Sequence, residues 1–136
     1  MKSILLVMAL LLSSGLAAES LSNLRQLAEM GDANAQYILA RFYARGEGVP
    51  QDYAEAVRWY RKAAEQGSVR AQASLGLMYA KGEGVPQEYI MAHKWFNLAA
   101  AAGYEPAVEN RDIAASLMTR EQIAEAQKLA REWRAQ

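Results

Sequence analysis

The apolar residues between positions 35 and 64 fall into two bursts at helical spacing: Ala35, Leu39, Ala40 and Tyr43, then Ala56, Trp59, Tyr60, Ala63 and Ala64. Residues three and four apart share one face of an α-helix, so each burst predicts an amphipathic helix. The punctuation agrees. Asp32 and Ser68 are suited to accept bonds from the free N–H groups that open the first helix of a pair, and Asp52 with Glu55 resembles a capping box for the second. Gly46 and Gly67 follow the helices where a left-handed residue is wanted. Pro50 keeps the loop between them from continuing as helix.

The same pattern returns one period later. Sliding the chain by 36 residues sets 35–70 against 71–106, and 17 of the 36 pairs are identical without a gap. The densest match sets Tyr43-Ala44-Arg45-Gly46-Glu47-Gly48-Val49-Pro50-Gln51 against Tyr79-Ala80-Lys81-Gly82-Glu83-Gly84-Val85-Pro86-Gln87. Tyr53, Ala56, Trp59, Ala63, Ala64 and Gly67 recur as Tyr89, Ala92, Trp95, Ala99, Ala100 and Gly103. Such a period indicates stacked helix pairs, each burying its apolar face against the next. Ala40 or Gly76 lets the paired helix approach closely while Trp59 or Trp95 fills the gap beyond, an alternation of small and large that belongs to a core.

The flanks extend the array in part. Leu24, Leu27, Ala28 and Gly31 precede Tyr60, Ala63, Ala64 and Gly67 by one period, which predicts a lone second helix over 22–30 within a partial repeat over 20–34. Downstream, 106–117 predicts a first helix in phase through Ala107. Thr119 with Gln122 forms another capping box, and a helix over 121–133 carries the stripe Ile123, Ala126, Leu129, Ala130 and Trp133. That stripe is expected to cover the open apolar face of the helix before it, so that 107–136 caps the stack.

These residues resemble the Sel-one-like repeat family, relatives of tetratricopeptide repeats. The family pattern is met at Ala71, Leu75, Gly76, Tyr79, Gly82, Gly84, Val85, Ala92, Trp95, Ala99, Ala100 and Gly103; the first copy departs at Ala40 and the second at Glu88. The resemblance implies an all-α fold, a right-handed α/α superhelical solenoid of 36-residue helix-turn-helix repeats over 18–136.

Composition narrows the function. Lys plus Arg and Asp plus Glu number 15 each, so no global field draws the chain to nucleic acid or an anionic membrane. The absence of cysteine removes disulfides, thiolate nucleophiles, Cys-based zinc sites and a lipid-bearing cysteine. Lys2, the apolar run 4–12 and the small residues Ser13, Ser14, Gly15 and Ala17 have the layout of a secretory signal over 1–17. The run is about half of the roughly 20 residues a membrane span needs, so the expectation is a cleaved leader and a periplasmic or secreted product without a membrane anchor.

Candidate chemistry is thin. His93 is the only histidine and sits mid-helix with no flanking nucleophile, which reads as a surface or half-buried structural residue. Glu47 and Glu83 occupy equivalent loops, and a carboxylate pair can hydrolyse glycosidic bonds, but repetition explains them and no third group would raise either pKa. The Gly46-Glu47-Gly48 loop lacks the Lys-Ser/Thr ending of a phosphate cradle. One histidine without cysteine closes no zinc site. Tyr43, Tyr53, Tyr79, Tyr89, Trp59 and Trp95 read as core. No catalytic residue, metal or cofactor is expected.

The resemblance also implies a binding surface, since in tetratricopeptide-like stacks the first helix of each pair lines a concave groove. Counted from Leu39, Ala40 and Tyr43, the groove positions are Asn34, Tyr37, Arg41, Ala44 and Arg45, and one period on Arg70, Ala73, Leu77, Ala80 and Lys81. A basic floor with apolar islands suits a protein or peptide partner with acidic or carboxylate-bearing groups. Against this stands the plain alternative that these are ordinary solvated charges. A non-enzymatic exported adaptor is therefore expected. A small cell-wall glycan hydrolase and a secreted effector that binds a host protein are the alternatives.

Overall fold

The computed structural model describes residues 2–136, with side chains from residue 15 onward. Among the described residues there are seven helices: α1 (Lys2–Glu29), α2 (Ala33–Arg45), α3 (Tyr53–Glu65), α4 (Val69–Lys81), α5 (Tyr89–Ala101), α6 (Glu105–Ser116) and α7 (Arg120–Glu132). From α1 to α6 each helix packs on the next, the sequential stacking that the period requires. The pairs α2–α3 and α4–α5 are the two full repeats. α1 runs back well beyond the expected start at 22, and the apolar run 4–12 of the expected leader lies outside the residues whose side chains are described.

Helix boundaries follow the residues that satisfy their free backbone groups. Asp32 accepts from the Ala35 N–H at 2.8 Å and Asp52 from the Glu55 N–H at 3.1 Å. Asp52 is a cap but not a box: Glu55 turns to Arg58, and the Asp52 N–H donates to the Tyr43 carbonyl instead. At 119–122 the full reciprocal box forms. Gly46 and Gly82 close the first helices at φ 69° and 70°, the left-handed region that disfavours any residue with a Cβ.

Repeated amides tie one helix to the next. Gln36 and Gln72 are buried, and their Nε2 groups donate to the carbonyls of Ala28 and Ala64 near the ends of the preceding helices, which also accept from the N–H groups of Gly31 and Gly67. Gln51 and Gln87 donate to Ala44 and Ala80 and also to the hydroxyls of Tyr53 and Tyr89. Tyr53 and Tyr89 are therefore loop clamps rather than core. They open their helices at the rim, where Tyr53 is 36% exposed and Tyr89 half-buried. Tyr43 is also only half-buried.

The core matches the expected small and large alternation, with one change of partner. Trp59 and Trp95 are 3% exposed, and the alanines at positions 56, 63, 92 and 99 are fully buried. Gly76, however, makes room for Phe96 rather than Trp95: a Cβ there would stand 2.6 Å from the Phe96 ring. The cap also differs from expectation. α7 packs on α5 and not on the α6 face before it, with Trp133 edge-on to Trp95 at 6.2 Å. The tail continues to α3, where the Gln136 N–H donates to the Glu65 carbonyl at 2.8 Å. The reason is the missing large residue: α6 carries Arg111 and Ala115 where α4 has Leu75 and Tyr79, whereas Trp95 offers the apolar stripe a partner.

Candidate functional site

The period sets the same positions of α2, α4 and α6 one repeat apart, with the second helices α3 and α5 standing between them in the stack. On α2 the half-buried Tyr37 ring lies 5.9 Å from the Tyr60 ring, tilted by 47°, and the Arg41 guanidinium stands 5.8 Å from the Tyr37 centroid. Tyr60 rises from α3. Burial pushes its phenol above the ordinary value, which the neighbouring Ser74 hydroxyl and the cations Arg41 and Arg45 partly oppose. Tyr37 stands against Tyr60 and Arg41 against Tyr37, with Arg45 one turn further along α2. Arg45 also forms an exposed pair with Glu47 at 3.7 Å, a contact of little strength in water.

On α4, Leu77 and Lys81 line a cleft that also takes in Phe96 of α5, Ile113 of α6 and Leu117, the residue that follows α6. Asn34 and Arg70 are exposed but sit in the first turns of their helices. Arg70 lies seven residues before Leu77, about 10 Å along the axis, and so stands apart from the other cations. Ala73 does not line the groove. It is 6% exposed and packs with Ala99 and Ala107, because α6 approaches α4 through its small Ala107. The residues that sequence reasoning missed are Tyr60, Phe96, Ile113 and Leu117. Ile113 and Leu117 were within reach of the period, which carries Leu77 and Lys81 onto them.

The other candidates offer no chemistry of comparable organisation. Glu47 is exposed and held by Arg45, and Glu83 is partly buried in the equivalent loop. His93 is 3% exposed, more deeply placed than expected. Burial lowers its pKa, Arg111 lowers it further and Asp112 opposes, while Nδ1 has no hydrogen-bond partner among the described residues. Among the described residues no group of three or more His, Asp or Glu side chains could hold a metal ion. None of their helices is long and apolar enough to cross a membrane.

Two copies of the Sel1 repeat profile match the chain, at residues 33–68 and 69–104, more than half its length and the same helix pairs that the structure shows. The chain belongs to the Sel1 repeat family. Sel1 repeats generally mediate protein–protein interactions, and the family is usually one of non-catalytic adaptors. A protective antigen present in uropathogenic Escherichia coli strains, which displays this repeat fold, is 35% identical over 83% of this chain with a TM-score of 0.80. A Sel1 repeat protein from Oxalobacter formigenes is 43% identical over 63% of the chain with a TM-score of 0.63. This chain covers only 24% and 25% of those two proteins, so it corresponds to a short stretch of longer Sel1 arrays. No curated relative matches it.

Proposed function

We propose that this Sel1 repeat protein is an exported adaptor, periplasmic or secreted, that holds a protein or peptide segment against the face formed by α2, α4 and α6. The observation that carries the reading is the cluster of Tyr37, Arg41 and Arg45 on α2 beside Tyr60, with Leu77 and Lys81 on the next helix. Arg41 is preorganised by its aromatic neighbour, and a guanidinium held in place suits planar, bidentate recognition of a carboxylate. Export is supported by the leader-like residues 1–17 and by the E. coli relative's description as a protective antigen. The same cluster argues against a hydrolase, since it offers cations and apolar surface without a paired acid and base.

The test is site-specific photo-crosslinking in the producing cell. A photoreactive residue at Leu77 is expected to give a discrete adduct that Arg41→Gln with Arg45→Gln removes. The same residue at Lys128, on the exposed side of α7, is expected to give none. Arg61 is unsuited as a control because its guanidinium donates to the Tyr79 hydroxyl at 2.8 Å. Equal adducts at both positions, or an adduct indifferent to the arginines, would count against the groove.

A further inference from the structure

The groove changes character from one end to the other, position by position. The floor residue is Tyr60 between α2 and α4 and becomes Phe96 one period later, between α4 and α6. The wall position is Arg41 on α2, Leu77 on α4 and Ile113 on α6. One turn further on it is Arg45, Lys81 and Leu117. Leu77, Ile113 and Leu117 are 36%, 55% and 59% exposed, and with Phe96 they line one cleft of about 190 Å³.

This apolar surface belongs to the groove and not to an unfinished stack. At the C-terminal end, α6 carries Arg111 and Asp112, paired at 3.2 Å, where α4 has the buried Leu75 and Gly76. A second copy stacked on that end would bury these polar groups, which is costly. The C-terminal end face is polar, whereas the groove surface beside it is not.

We propose that the groove takes its partner segment in one fixed orientation. The carboxylate-bearing end lies over Arg41 and Arg45 on α2, and an aliphatic side chain about six extended residues away fills the cleft of Leu77, Ile113 and Leu117. The spacing follows from two helix-to-helix steps of about 10 Å each, spanned at about 3.3 Å per extended residue. The charges set direction and the apolar contact supplies affinity. This inference rests on the adaptor reading and deepens it.

The experiment uses the full chain and fluorescein-labelled synthetic peptides, read by anisotropy. One peptide carries an Asp pair and a Leu pair six residues apart in a Ser/Gly background, a second has them two apart, and a third replaces both Leu by Ser. The first is expected to bind about tenfold more tightly than the other two, as burial of one aliphatic side chain allows. Ile113→Ser with Leu117→Ser should erase that advantage and leave the acid-only peptide unchanged; both side chains are exposed, so circular dichroism should be unaltered. Arg41→Gln with Arg45→Gln should weaken all three peptides and flatten their salt dependence. If the α6 pair has no effect while the arginines matter, the apolar subsite is overturned and the adaptor reading stands. Equal binding of the first two peptides overturns the orientation. Indifference of every peptide to the arginines, or no binding at all, overturns both.

Discussion

Gly48 and Gly84 form a matched pair that isolates the contact between successive repeats. Both lie in the interhelix loop at nearly the same left-handed backbone, φ 71° and 75°. Alanine there costs about 1–2 kcal/mol at either site through its Cβ alone. The surroundings differ. At Gly48 the added carbon meets only the Leu21 side chain at 3.9 Å, since α1 leaves space at the end of the stack. At Gly84 it runs into the Tyr53 carbonyl, with the Ala54 nitrogen 3.0 Å away, so the loop must lift off the start of α3. Overpacking against backbone adds about 1–3 kcal/mol. Gly48→Ala is therefore expected to lose about 1 kcal/mol and Gly84→Ala about 3 kcal/mol in urea denaturation, with unchanged denaturant slopes. Losses equal to within about 0.5 kcal/mol would refute the claim that the Gly84 loop is pressed against the start of α3.

Trp95→Ala should cost about 3–5 kcal/mol, because it empties a buried site and strips Trp133 of its partner; a loss under about 1 kcal/mol by chemical denaturation would show that α7 does not rest on this ring. His93 sets a pH dependence whose sign is fixed by its lowered pKa: the unfolded chain takes up the proton first as pH falls below about 6.5, so its contribution to stability is complete above that value and is lost below it. As the only histidine it should account for a decline in stability as pH falls below about 6.5, and His93→Gln should flatten it; equal slopes in both proteins would contradict the burial.

The helix pairs were legible because the same physical demands recur at a fixed offset. Asp32, Gly46, Trp59 and their counterparts each meet a local need that one residue type serves, and two copies in register leave little freedom. The expectations that failed concern what a face meets rather than whether it exists. The stripe of α7 declared an apolar side, yet only the structure shows that it turns to Trp95 on α5. Tyr53 and Tyr89 have core spacing but open their helices, where phase no longer decides burial. Gln36 and Gln72 are polar yet buried, and the neighbouring carbonyls that their side chains reach explain why burial suits them.

The groove was legible to the extent that the period carries a face from one helix to the next. Arg41 and Arg45 on α2 and Leu77 and Lys81 on α4 stand one period apart with their side chains partly or fully exposed, whereas Ala73 is buried by the close approach of α6. What the period cannot supply is the reason for differences between copies. Positions 56, 59, 63 and 64 repeat as 92, 95, 99 and 100 because they are buried or partly buried in both repeats, and packing admits little else. Positions 41 and 45 change to Leu77 and Lys81 and then to Ile113 and Leu117; Arg45 and Lys81 end their helices before left-handed glycines, whereas Leu117 is itself the residue that follows α6. Leu77, Ile113 and Leu117 remain 36%, 55% and 59% exposed, so folding buries only part of each apolar side chain. A surface that turns from cationic to apolar on an otherwise repeated scaffold is the observation on which the proposed orientation of a partner segment rests.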